Sequence, residues 1–226
     1  MKIISLGYTC YLKLLIKSTK FDDQTDVFDW INSFYFKNLI ECIENNCDIF
    51  NGIEKSKFDI DQDSNKNIWY NPKYYFRLPH ETNLTESTIT YKKRFDRFLN
   101  YKNQNDDYLF IRIVNFTGRY HISAENITEN YSDQQYFKLV KFLPKNNKIL
   151  LLITQKVPDD IKSQFSKHFI LVDNIINPEY VTYGNHLDQK QMIVNQYSKC
   201  FDYIKNNFKS LNVDTIKLFI SNDLLK

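Results

Sequence analysis

The sequence predicts an α/β fold, a single three-layer domain with a mainly parallel sheet of the Rossmann-like or flavodoxin-like kind. Three observations predict it. Apolar runs of strand length recur at Tyr108–Val114, Lys148–Thr154 and His168–Val172, the pattern of strands buried on both faces. Segments with helical spacing of apolar residues lie between them, as crossover helices of a parallel sheet do. A first apolar run, Lys2–Leu6, ends at Gly7 and leads straight into another helical pattern.

In chain order, Thr9 is placed as the N-cap of a helix over Cys10–Lys17, whose Leu12, Leu15 and Ile16 share a face. A polar loop, Thr19–Asp26, leads to Val27–Ile31. A second helix is predicted over Asn32–Asn45, with Phe36, Leu39, Ile40 and Ile43 at helical spacing. From Asp48 to Glu86 periodicity is lost. Short aromatic pieces, Ile68–Tyr70 and Tyr74–Phe76, read either as short strands or as an excursion over the sheet, so residues 48–86 form an irregular, aromatic-rich insertion. Thr88–Tyr101 is a basic amphipathic helix carrying Arg94 and Arg97. Helices follow over Asp133–Phe142, ended by Pro144, from Pro158 through Phe165, and over Asp188–Phe208; Thr215–Ile220 is a last strand. No repeat, low-complexity block or linker interrupts residues 1–226, which are read as one domain.

Composition narrows the function. At 226 residues the chain buries a substantial core. A net charge of +3 without a Lys/Arg run gives no stripe for nucleic acid. No apolar run approaches the ~20 residues that cross a bilayer, and Lys2–Leu6 is too short for a signal segment. The four cysteines, Cys10, Cys42, Cys47 and Cys200, show neither CxxC spacing nor a secreted framework, and fit reduced thiols in the cytoplasm. The Asn-x-Ser/Thr matches in this Asn-rich chain are then fortuitous. With 4 glycines there is no GxGxxG or phosphate loop, no HExxH or GxSxG, and no clustered metal ligands, so no cofactor and no metal are expected.

The chemistry concentrates at the end of the first strand. Ligands of open parallel sheets sit beyond the carboxyl ends of the strands, where Gly7, Tyr8, Thr9 and Cys10 fall. A cysteine opening a helix feels the positive helix end, which lowers a thiol pKa and favours the nucleophilic thiolate. The same position also suits a structural thiol packed under the loop.

Ser5-Leu6-Gly7-Tyr8-Thr9-Cys10, followed by Phe28-Asp29-Trp30, resembles the opening signature of a family of unknown function named for papain-like cysteine peptidases. The likeness is good over Lys2–Ile31 and loose over Tyr74–Val114; Val27 stands where the family would carry Pro. The resemblance implies a Cys–His pair doing acyl transfer through a thioester, although strand–helix alternation argues against the papain fold itself. It also matches His80, in Arg77-Leu78-Pro79-His80-Glu81, to the family's isolated histidine, and Arg94, Arg97 and Arg112 to its basic helix and strand.

His80 is accordingly the preferred general base, with a surface loop His as the plain alternative. His121, just past the Tyr108–Val114 strand, is the rival; His168 and His186 read as structural. Asp29 orients the imidazole or caps the following helix, and Glu81 is a second orienter. Trp30 lines the pocket or the core. Arg94, Arg97 and Arg112 are candidate clamps for an anionic substrate group; the first two also read as a solvated helix face, while Arg112 inside an apolar strand needs an anionic partner. Water as acceptor gives a peptidase or other hydrolase; a sugar hydroxyl or amine gives an acyltransferase of polysaccharide synthesis. The alternative is a non-enzymatic module binding a glycan or nucleotide-sugar at Trp69–Phe76. The expected partner is thus a small-molecule, peptide or glycan substrate.

Overall fold

A computed structural model describes residues 1–8, 10–19, 21, 24–61, 66–114, 127–173, 175 and 187–210. Two sheets organise them. The larger has four parallel strands, β1 (Lys2–Ser5), β6 (Tyr108–Val114), β7 (Asn147–Ile153) and β8 (Ile170–Val172), in that order. The strands predicted at Lys2–Leu6, Tyr108–Val114 and Lys148–Thr154 therefore lie side by side and parallel, as expected.

Their side chains alternate as period-two strands require. Ile3, Leu109, Ile111, Leu150, Leu152 and Ile170 join one apolar cluster, with Leu12, Leu15 and Ile16 of α1 (Cys10–Ser18). Ile193, Tyr197 and Phe201 of α7 (Leu187–Asn207) complete it. Ile4, Phe110, Val114, Leu151 and Ile153 join the other. That cluster contains Leu39 and Ile43 of α2 (Phe36–Glu44), Phe95 and Phe98 of α3 (Leu84–Asn100), Tyr131 of α4 (Ile127–Tyr131) and Leu139 of α5 (Asp133–Val140). Each fully buried aliphatic or aromatic side chain contributes roughly 1.5–3 kcal/mol.

The second sheet is antiparallel, in the order β2 (Asn32–Ser33), β5 (Phe76–Leu78), β4 (Lys66–Asn71) and β3 (Glu54–Asp61). The aromatic-rich stretch read as an irregular insertion thus contains three strands, one of them covering the short piece at Ile68–Tyr70, with a register shift between Lys55 and Ile60 of β3. The helix predicted from Asn32 begins instead at Phe36, because Asn32 and Ser33 pair with Arg77 and Phe76. Helix α3 starts four residues before the predicted Thr88, at Leu84, because the Asn83 side chain accepts from the Thr85 and Glu86 N–H groups at 3.1 and 3.3 Å. The helix after Pro158, α6, is only Asp159–Lys162. The strand expected at Thr215–Ile220, and His121, His186 and Thr9, lie outside the described residues. Among the described residues no helix is long and apolar enough to cross a membrane, and no cluster of His, Cys, Asp or Glu could hold a metal ion.

Candidate active site

Strand β1 ends in a turn with two consecutive left-handed residues, Gly7 (φ 76°) and Tyr8 (φ 91°). A Cβ on Gly7 would lie 2.6 Å from Ser33 Oγ and 3.2 Å from the Phe28 carbonyl oxygen, so the position requires glycine for both space and conformation. Tyr8 has no such freedom, and its conformation costs about 1–3 kcal/mol. The surroundings hold it in place. Its N–H donates to Ser33 Oγ at 3.1 Å, and its buried ring meets Phe34 edge-on at 6.0 Å. The Gly7 N–H donates to Ser5 Oγ at 3.0 Å. Two residues beyond Tyr8, the half-buried Cys10 opens α1 at the carboxyl edge of the parallel sheet.

Arg112 anchors this turn from the neighbouring strand. It is fully buried, at 0% exposure. Nη1 donates to the Leu6 carbonyl at 2.8 Å and to Ser33 Oγ at 3.2 Å. Nη2 donates to the Ser33 and Phe34 carbonyls, and Nε to Tyr131 Oη at 3.3 Å. The guanidinium also lies 5.2 Å from the Phe36 ring centroid and 5.8 Å from that of Tyr8. Sequence reasoning called for an anionic partner here. The correction is that, among the described residues, backbone carbonyl dipoles and neutral hydroxyls satisfy the fork. Burial pushes the Tyr131 phenol up, against the pull of Arg112.

The remaining candidates gather along α1 and α3. Asp29 is buried and pairs with Lys13 Nζ at 3.2 Å, both side chains 1% exposed. Its Oδ2 also accepts the Asp26 N–H at 2.6 Å, while Oδ1 has no hydrogen-bond partner among the described residues. Asp29 therefore does not cap the second helix, which starts seven residues later at Phe36. Burial raises its pKa to about 7, outweighing the attraction of Lys13. Behind it, Asp26 Oδ1 accepts from Tyr101 Oη at 2.7 Å and from Arg97 Nε at 3.4 Å.

His80 is exposed and meets the half-buried Trp30 edge-on at 5.3 Å. Lys17, in the last turn of α1, lies 5.8 Å from the same indole. Cys10 is seven residues earlier on that helix, about 10 Å along its axis. The described contacts thus join His80 to Trp30, and Trp30 to Lys17. Arg94 stacks on Tyr91 at 4.9 Å, and its buried Nη1 has no hydrogen-bond partner among the described residues. Glu81, the second candidate orienter, accepts instead from Ser87 Oγ and from Tyr91 Oη at 3.1 Å.

Of the other thiols, Cys47 shares the half-buried exposure of Cys10. Cys42 and Cys200 are buried, and burial pushes Cys200 up to about 12. Cys47 is raised by burial and by its hydrogen bond with Cys42. Sequence reasoning missed Ser33, which receives both the Tyr8 N–H and Arg112; nothing in a serine among predicted helical residues marks it. Lys13 was detectable, as a lysine bordering the Leu12–Ile16 apolar stripe. In comparisons with protein-family models, curated proteins and solved structures, no significant match to this chain was found.

Proposed function

We propose that this protein is a thiol-dependent acyl-transfer enzyme with Cys10 as its nucleophile. One observation carries the reading: a buried, left-handed Gly7–Tyr8 turn delivers Cys10 onto the first turn of a helix at the carboxyl edge of a parallel sheet. Backbone strain held by its surroundings concentrates at sites of function. The four-stranded sheet and its two apolar clusters fit the proposal of a three-layer, Rossmann-like or flavodoxin-like domain.

In the proposed reaction the Cys10 thiolate attacks an acyl carbonyl carbon, forming a C–S bond and a tetrahedral oxyanion. The N–H groups of Gly7 and Tyr8 already bond to Ser5 and Ser33. The oxyanion is therefore assigned to the positive end of α1. Collapse expels the leaving group, which takes the proton first accepted from the thiol by a histidine, and leaves a thioester. Water then yields a carboxylic acid, as in the cysteine peptidase that the sequence resemblance implies. A sugar hydroxyl or an amine yields a transferred acyl group. The base is His80 or His121. Asp29 has Oδ1 left with which to orient it, since Oδ2 is engaged by Lys13 and the Asp26 N–H. A peptide or glycan substrate and a reducing, cytoplasmic setting belong to the same proposal.

Iodoacetamide labelling across pH tests it. Cys10 should react faster than Cys42, Cys47 and Cys200, with an inflection below the ordinary thiol value of ~8.5. Replacing the true base, His80→Ala or His121→Ala, should move that inflection up. Slow native-state labelling of Cys10, with loss of stability in Cys10→Ser, would instead mark a structural thiol and overturn the proposal.

A further inference from the structure

Away from the thiol, an open groove of about 650 Å³ lies against α2, within the roughly 300–1,000 Å³ of small-molecule sites. Glu129 of α4, with Gln135 and Lys138 of α5, lines it together with α2, and the β4–β5 turn adds Lys73 and Tyr75. Its lining decides what it could hold. Among the described residues it contains no aliphatic side chain; apart from Tyr35 and Tyr75, every lining residue is charged or a carboxamide. An acyl chain or an apolar peptide side chain finds no pocket there.

Charge is balanced as well. Lys37, Lys73 and Lys138 face Glu41, Glu44 and Glu129. Two pairs are joined across the groove, Lys37 with Glu129 and Lys138 with Glu44 at 3.8 Å. A phosphate or other polyanion therefore meets no net positive field.

What the groove does offer is an aromatic face rimmed by hydrogen-bonding groups. Tyr75 is 53% exposed and has φ 55°, so a strained backbone presents its ring to solvent. Tyr35 and Tyr70 meet it edge-on at 6.0 and 6.3 Å and fix its orientation. A sugar ring has the matching chemistry: a C–H face that stacks on an electron-rich ring, and peripheral hydroxyls that both donate and accept.

We propose that this groove is a binding site for neutral saccharides, with Tyr75 as the stacking platform and Glu41, Lys73 and Gln135 binding hydroxyls. The assignment does not rest on the reading of Cys10. Calorimetry and saturation-transfer NMR on the full chain, with cellohexaose, laminarihexaose and maltohexaose as probes, test it. At least one probe should bind, with saturation reaching its ring C–H protons. Tyr75→Phe should retain that binding, and Tyr75→Ala should weaken it about tenfold or more, since stacking on one ring contributes on this scale. Thermal melts should show both variants folded, and Cys10→Ser should bind as the parent does. Failure of all three probes to bind, or equal binding by a folded Tyr75→Ala variant, would overturn the proposal. So would competition by inorganic phosphate.

Discussion

The turn around Arg112 and the cluster around Asp29 both bury charge, and they stabilise it in opposite ways. Arg112 is surrounded by backbone carbonyl oxygens at the ends of two strands, β1 and β2, and by the Ser33 and Tyr131 hydroxyls. Asp29 faces a lysine, a second buried aspartate and one backbone N–H, and one of its oxygens lacks a partner among the described residues. A guanidinium carries its charge at any ordinary pH by its own chemistry, and fixed dipoles satisfy its donors. A carboxylate held mainly by one counter-charge is left at the mercy of burial. The first arrangement makes a rigid, pH-insensitive frame; the second makes a site that titrates.

The sharpest way to break the first region is Arg112→Met. Removing the fork orphans the Leu6, Ser33 and Phe34 carbonyls, and the expected loss is about 3–5 kcal/mol in urea unfolding. A loss under about 1 kcal/mol would show that water replaces the guanidinium and that the frame is not rigid.

The second region should reveal itself in pH dependence. Asp29 has its pKa raised from 3.8 to about 7 on folding, so the folded chain holds a proton that the unfolded chain has released. This contribution is fully present below about pH 4 and is lost as pH rises through about 7, by up to roughly 4 kcal/mol. Unfolding free energy measured across that window should fall more steeply in the parent than in Asp29→Asn. Identical slopes would remove Asp29 as the titrating group.

A smaller effect sharpens the comparison at Gly7. Gly7→Ala brings a Cβ against Ser33 Oγ in a left-handed backbone, and should cost about 2 kcal/mol. Combined with Ser33→Ala, the loss should be less than the sum of the two single changes, because part of the clash disappears. Additive losses would mean that Ser33 shifts freely and does not fix the turn.

What could be read beforehand follows the same division. Strands buried on both faces announce themselves as apolar runs, so β1, β6 and β7 and their parallel pairing were legible, as was Cys10 at the start of a helix. The antiparallel sheet was legible only at Ile68–Tyr70, where a short strand was one of two readings. Its strands carry lysine, aspartate and asparagine among tyrosines, and Asn32–Ser33 is too short to show any period. Arg112 was singled out correctly as a buried charge, yet its partners are main-chain carbonyls, which no side-chain pattern encodes. For Asp29, sequence showed a good capping residue; the competing attraction is Lys13, on an element that becomes its neighbour only in the folded chain.

The parallel pairing also has a temporal consequence. Lys2 aligns with Tyr108, and Ser5 with Ile111, so the first strand bonds to chain made more than a hundred residues later. During synthesis from the N-terminus, β1 and the turn behind it emerge without the strand they will join. The four strands of the antiparallel sheet and α3 are all translated in between, and the long loop must close before Leu6 can accept Arg112. The sheet edge that carries Cys10 is made long before its partner strand and assembled late.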